Sequence, residues 1–199
     1  MGVPSVLALT FVIAVAIALV YMLAQKPVTN VQLLIQQNRF AEAAAQPATD
    51  SVGHLHRAEA LKLLGRFEDA IEEYRWSDDP AAREGIALSL AHLGHDFDEA
   101  KRLMEQTFAT NPAIQEFQSL GLAWILLRRG DREAALRLYR DNLELLETRF
   151  RDDYTDRDPL LAETLFLFAE MAMADGDTTR ADALRKKAAQ WAPGSVFAT

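Results

Sequence analysis

The sequence predicts an all-α chain: an N-terminal single-pass transmembrane helix followed by an α-solenoid of stacked helical hairpins. Three observations carry that prediction. Strong helix formers (Ala, Leu, Glu, Arg) are abundant, while runs of Val, Ile and Thr are missing beyond the first 31 residues. Residues 3–24 carry no charge and form one apolar run. The stretch Leu120–Leu143 reads as two antiparallel helices joined at Gly130, with Leu122, Ile125 and Leu126 before the glycine and Ala135, Leu136 and Tyr139 after it at helical spacing. One such hairpin cannot bury both of its faces, so it has to stack against others.

The apolar run Val3–Ala24 comes first in the chain. As a helix it spans about 33 Å at roughly 1.5 Å per residue, enough for a hydrocarbon core of about 30 Å. A buried core helix would show a polar stripe, and this segment has none. A cleaved signal peptide would carry Lys or Arg ahead of an apolar run of about 7–15 residues. Here the run is longer, no basic side chain precedes it, and bulky Met22 stands where cleavage after Ala24 needs a small residue. Residues 1–25 are therefore read as a retained anchor in a cell (inner) membrane, in contact with the lipid bilayer through residues 3–24 and with Tyr21 at the interface. Lys26 and Arg39 follow the span, which by the positive-inside tendency places the C-terminal part in the cytoplasm.

After Lys26-Pro27 the register changes. Residues 26–53 read as a linker and a degenerate first hairpin: Val31, Leu34 and Ile35 share one helical face, Asn38 interrupts, Phe40 to Ala45 forms a second short helix stopped near Pro47, and 48–53 reads as a loop. Residues 54–193 then carry a recurring constellation. A small residue is followed seven positions on by glycine and five or six later by alanine: Ala58, Gly65, Ala70; Ala87, Gly94, Ala100; Ala123, Gly130, Ala135; Ala169, Gly176, Ala181. Small residues let two helices approach, and glycine ends the first helix in a conformation that other residues avoid. One turn beyond each alanine stand Tyr74, Met104, Tyr139 and, as an exception, Arg185. Asp131 and Asp177 follow their glycines as N-cap candidates, and Pro112 and Pro193 close their units. The second helix of the third unit runs on from Asp131 to about Arg151, and Pro159 opens a last, very apolar helix. Residues 194–199 form a tail in which Val196 and Phe197 either dock or fray.

This small–Gly–Ala–large spacing resembles the tetratricopeptide-repeat family, whose helix-turn-helix units of about 34 residues stack into a superhelix. The resemblance covers roughly Val31–Pro193. The repeats are irregular: His54, Arg83, Ser119 and Leu165 replace the bulky aromatic near the start of each first helix, and successive alanines lie 30, 35 and 46 apart.

Composition excludes several function classes. No cysteine is present, which removes disulfides, iron–sulfur clusters and thiolate zinc sites. A net charge of −8 opposes a nucleic-acid partner. His92 and His95 are three apart with Asp96 and Asp98 following, but Gly94 between them marks a helix end where such residues cap. The acids Asp152, Asp153, Asp156 and Asp158 lack the glycine and closing glutamate of a calcium loop. Neither a phosphate-binding glycine loop nor a G-x-S-x-G turn occurs. Arg128, Arg129, Arg132, Arg137 and Arg140 alternate with acids and read as an ion-paired exposed face. No enzyme activity, cofactor or metal is expected.

The resemblance implies an inner wall formed by the first helix of each unit. Its expected partner-binding residues are Leu55, Glu59 and Lys62 in the first, Leu88 and His92 in the second, Phe117, Trp124 and Arg128 in the third, and Phe166, Glu170 and Met173 in the fourth. Glu84 and Glu163 fall on the same wall. The expected function is non-catalytic: a membrane-anchored protein–protein interaction module, acting as an accessory, scaffold or assembly subunit of a respiratory, photosynthetic, secretion or envelope-assembly complex. Its expected partners are the other protein subunits. The alternative is a membrane-tethered, chaperone-like adaptor for transient clients.

Overall fold

A computed structural model describes residues 30–108, 115–150 and 157–198. Among them are ten α-helices, one 3-10 turn and no strand. A short hairpin comes first, α1 (Asn30–Gln36) and α2 (Phe40–Ala44). Four longer ones follow: α3 (Ser51–Leu63) with α4 (Phe67–Tyr74), α5 (Ala81–Leu93) with α6 (Phe97–Thr107), α7 (Gln115–Arg129) with α8 (Arg132–Arg149), and α9 (Ala162–Asp175) with α10 (Thr178–Trp191). The 3-10 turn Pro159–Leu161 leads into α9. Each helix packs on its hairpin partner, and the first helices form one row in the order α1, α3, α5, α7, α9. No helix among the described residues is long and apolar enough to cross a membrane. The expected anchor at 3–24 lies outside the described residues, as do Pro112 and the acids at 152, 153 and 156.

The recurring spacing marks the contacts that hold each hairpin together. All eight of its alanines are fully buried, and so are Tyr74, Met104 and Tyr139 one turn further on. The four glycines all take positive φ, from 75° at Gly65 to 101° at Gly130. At Gly94 and Gly176 this left-handed residue is the C-cap, where its N–H returns to a carbonyl of the last helical turn; any side chain there would be strained. Arg185, the exception, pairs with Glu170 at 2.9 Å instead of packing.

Two glycines outside that spacing matter as much. A Cβ on Gly85 would lie 2.2 Å from the Tyr74 ring, and one on Gly121 would lie 2.8 Å from Met104 Cε. Tyr74 and Met104 thus each enter a notch in the first helix of the next hairpin, which joins neighbouring units. Glycine costs a helix interior about 1 kcal/mol relative to alanine, so these notches are kept for packing.

One expected boundary shifts. Residues 48–53 are not all loop, because α3 begins at Ser51 with Asp50 as its N-cap: the Asp50 carboxylate accepts the Gly53 N–H at 2.7 Å. Gly53 therefore lies in the first helical turn. Asp177 caps α10 as expected, accepting the Arg180 N–H at 2.9 Å. Asp131 forms no cap bond and instead accepts from Arg129 Nε at 2.6 Å.

The row of first helices closes on itself. Ala162, Ala192 and Phe197, from the last hairpin and the tail, belong to the same apolar cluster as Val31, Leu34, Ile35, Phe40 and Leu61 from the first two hairpins. The tail therefore docks. Val196 N–H donates to the Leu63 carbonyl at 2.8 Å, and Phe197 is 2% exposed.

Replacing Gly85 by alanine tests the notch. Helix propensity alone favours the substitution, but the collision with Tyr74 should reverse the sign. The expected result is a net destabilisation of about 1–3 kcal/mol in urea unfolding, the usual cost of overpacking a tight core; a stabilised G85A chain would show that the notch is not close-packed.

Candidate functional site

The inner wall is where the first helices present their polar residues to one another. On α3, Glu59 and Lys62 are one turn apart, and Lys62 Nζ lies 3.0 Å from Glu59 Oε2. The same ammonium lies 2.7 Å from Glu163 Oε2 at the start of α9. The other oxygen of Glu163 lies 2.9 Å from His92 Nε2 near the end of α5. Tyr74 Oη donates to Glu59 Oε1 at 2.6 Å. The result is a connected chain Tyr74–Glu59–Lys62–Glu163–His92 drawn from four helices, with Lys62 and Glu163 both buried.

Rings cover one side of this chain. Phe67 stacks on His92 at 4.6 Å with planes 5° apart, and Trp124 lies 4.5 Å from the same imidazole. Phe166 lies 6.0 Å from His92, and Arg128 places its guanidinium 5.3 Å above Trp124. The tail's Phe197 completes the group, 5.3 Å from His92 and 5.6 Å from Phe166.

Seven expected wall residues thus meet in one place: Glu59, Lys62, His92, Trp124, Arg128, Glu163 and Phe166. Leu88 is buried against α7, close to Gly121, and Leu55 packs against the first apolar cluster; both act as core. Phe117 faces Phe150 and Arg149, and Glu170 pairs with Arg185 of its own hairpin. Met173 is 37% exposed near the end of α9. Phe67 belongs to the site although it lies outside the expected wall, since its place at the start of a second helix gave no sign that its ring would reach His92. His92 and His95 do not converge, because His95 pairs with Asp96. Among the described residues, no group of three or more His, Cys, Asp or Glu could hold a metal ion.

Burial and charge set the protonation of the cluster. Desolvation works against the Lys62 ammonium, but Glu163 and Glu59 outweigh it and hold Lys62 charged, well above its ordinary value. Desolvation likewise opposes the Glu163 carboxylate, yet Lys62 and the His92 hydrogen bond carry it down to about 2. Glu84 on α5 is the opposite case. It has no hydrogen bond or ion pair among the described residues, and burial, only partly relieved by Lys62, raises it to about 7. Lys62 and Glu163 are therefore held as a charged pair at neutral pH, with the Glu84 carboxyl beside them raised to about 7. The cluster's charges are spent on one another, which makes it a clasp between α3, α5 and α9.

The two carboxyls impose opposite pH dependences. Glu163, depressed, contributes stability above pH 4.5 that is lost as pH falls towards about 2. Glu84, raised, contributes stability below pH 4.5 that is lost as pH rises through about 7. E84Q should match the parent at pH 4 and exceed it at pH 8 by about 1–2 kcal/mol in urea midpoint analysis, after allowance for partial exposure. E163Q should lose about 3 kcal/mol at pH 7, because it leaves the buried Lys62 short of a partner. A pH-independent difference for E84Q would show that folding does not raise the Glu84 carboxyl.

Compared with known proteins, the chain matches no protein-family model and no curated protein.

Proposed function

We propose that the chain is a membrane-tethered protein-interaction module, similar in its hairpin geometry to tetratricopeptide repeats, that holds another protein beside the bilayer as an accessory or assembly subunit. The observation that carries this reading is the way the inner wall receives the chain's own tail. A non-helical segment lies across the ends of packed helices, donates one backbone N–H to a helix-terminal carbonyl and inserts one aromatic ring between side chains of three hairpins. That is how a helical scaffold can take a short peptide, with a main-chain bond for hold and an aromatic anchor for affinity.

The tether in this reading is the uncharged run 3–24. Fixing the module to the membrane raises the effective concentration of a membrane-bound partner, so that modest contacts are sufficient. The exposed arginines of the third long hairpin do not suggest a nucleic-acid surface. Arg129 pairs with Asp98 at 2.9 Å and with Asp131, Arg140 with Asp175, and Arg137 with Glu133. Such surface pairs keep the outside soluble and add little stability.

Mild-detergent extraction followed by native separation tests the reading. The expected result is that the chain migrates with other protein chains at fixed stoichiometry, and that a version lacking residues 1–29 appears in the soluble fraction. A detergent-extracted monomer would overturn the subunit role, and a full-length chain found free of membrane would overturn the tether.

A further inference from the structure

We infer that the segment Pro193–Ala198 is a built-in competitor: it fills, in cis, the place on the inner wall where a partner's turn-forming segment binds, so that partner binding and tail release are one event. The inference rests on the protein-binding reading above and adds to it the chemistry of the bound segment and the means of regulation.

The way the tail is held sets it apart from the core it touches. After Trp191 the chain leaves the helix, and Gly194, at φ 84° and with open space where a side chain would be, redirects it. Ser195 N–H and Ala198 N–H bond only within the segment, to Ala192 and Ser195. A single backbone hydrogen bond reaches the scaffold, from Val196 N–H to the carbonyl of Leu63. Leu63 ends α3, where carbonyls lack intrahelical partners and remain open to an incoming donor. Phe197 is 2% and Ser195 7% exposed, while Val196 is 40% exposed.

These contacts specify what can replace the tail. The slot needs a planar aromatic ring to stand among Phe67, His92 and Phe166. Immediately before it a compact aliphatic residue is required, since Val196 rests 3.3 Å from the position a Cβ on Gly65 would occupy. The backbone N–H of that aliphatic residue must reach Leu63. The ligand class is therefore a turn-forming peptide carrying an aliphatic–aromatic pair, bound over a wall whose polar groups are already paired in the Lys62–Glu163–His92 bridge.

The test uses the full chain in detergent micelles and, as probe, a labelled synthetic peptide of residues 192–199, titrated by fluorescence anisotropy. A closed site weakens apparent affinity by the fraction of molecules that are open. F197A should therefore bind the probe at least about tenfold more tightly than the parent chain, and a probe with alanine at the aromatic position should bind neither. In the parent chain, saturating probe should accelerate deuterium exchange across residues 192–198. Equal or weaker binding by a cooperatively folding F197A chain would overturn the inference, as would loss of cooperative unfolding in F197A, which would make the tail a fixed part of the core. Either failure leaves the co-migration result under Proposed function standing, so the two can fail separately.

Discussion

The ion pair between Lys62 and Glu163 joins the beginning of the stack to its end, and the shape of the molecule follows from it. Hairpins piled in a row bury their faces against their neighbours but leave the first and last units each with one bare face. Here α9 comes round to α3, and burying the pair there requires both charges to be desolvated, which is unfavourable unless the geometry is close. The hydrogen bonds of Glu59, Tyr74 and His92 meet that requirement. What the pair supplies is placement more than stability. A slip of α9 along α3 by one turn would leave two charges buried and unpaired, so one register is strongly preferred.

Closure also explains features that a simple open stack would not contain. The short α1–α2 hairpin covers the outer side of α3, and its apolar residues share a cluster with Ala162 and Ala192 at the opposite end of the chain. The notches at Gly85 and Gly121 pull consecutive units close together. With those notches filled by Tyr74 and Met104, the first helices lie near enough for α3 and α9 to reach across the wall. The polar bridge and the glycine notches act together, the notches setting the separation of units and the bridge selecting the register.

The local part of this architecture was legible in the sequence, and the long-range part was not. Periodic alanines and glycines report on contacts a few turns apart, so the helix pairs, the positive-φ turns and the buried tyrosines follow from spacing. Asp50 was hidden because Gly53 reads as a breaker when it is in fact the residue whose N–H the cap binds. Gly85 and Gly121 carried no periodic signal, since each is explained only by a side chain from the preceding hairpin. Glu59, Lys62, His92, Trp124, Arg128 and Phe166 could be placed on one wall by counting from the glycines. That Lys62 and Glu163 would meet could not be counted, because it depends on rotation accumulated over three hairpins, and small errors per unit add up. Phe117, Glu170 and Met173 show that accumulation, occupying matching positions by number yet facing other neighbours.

On the proposed reading, a wall that is both closed and a binding surface contains a competition, and its outcome depends on concentrations. A tail attached to its own scaffold by a few residues stays near its slot at an effective concentration of order millimolar. A partner dissolved at micromolar levels would rarely displace it, which keeps the apolar slot around Phe67 and Phe166 covered. A partner confined to the same bilayer as a tethered module gains in local concentration by the same principle. In the reading proposed above, the tether is therefore what makes the tail displaceable, and the tail is what restricts the slot to partners already at the membrane.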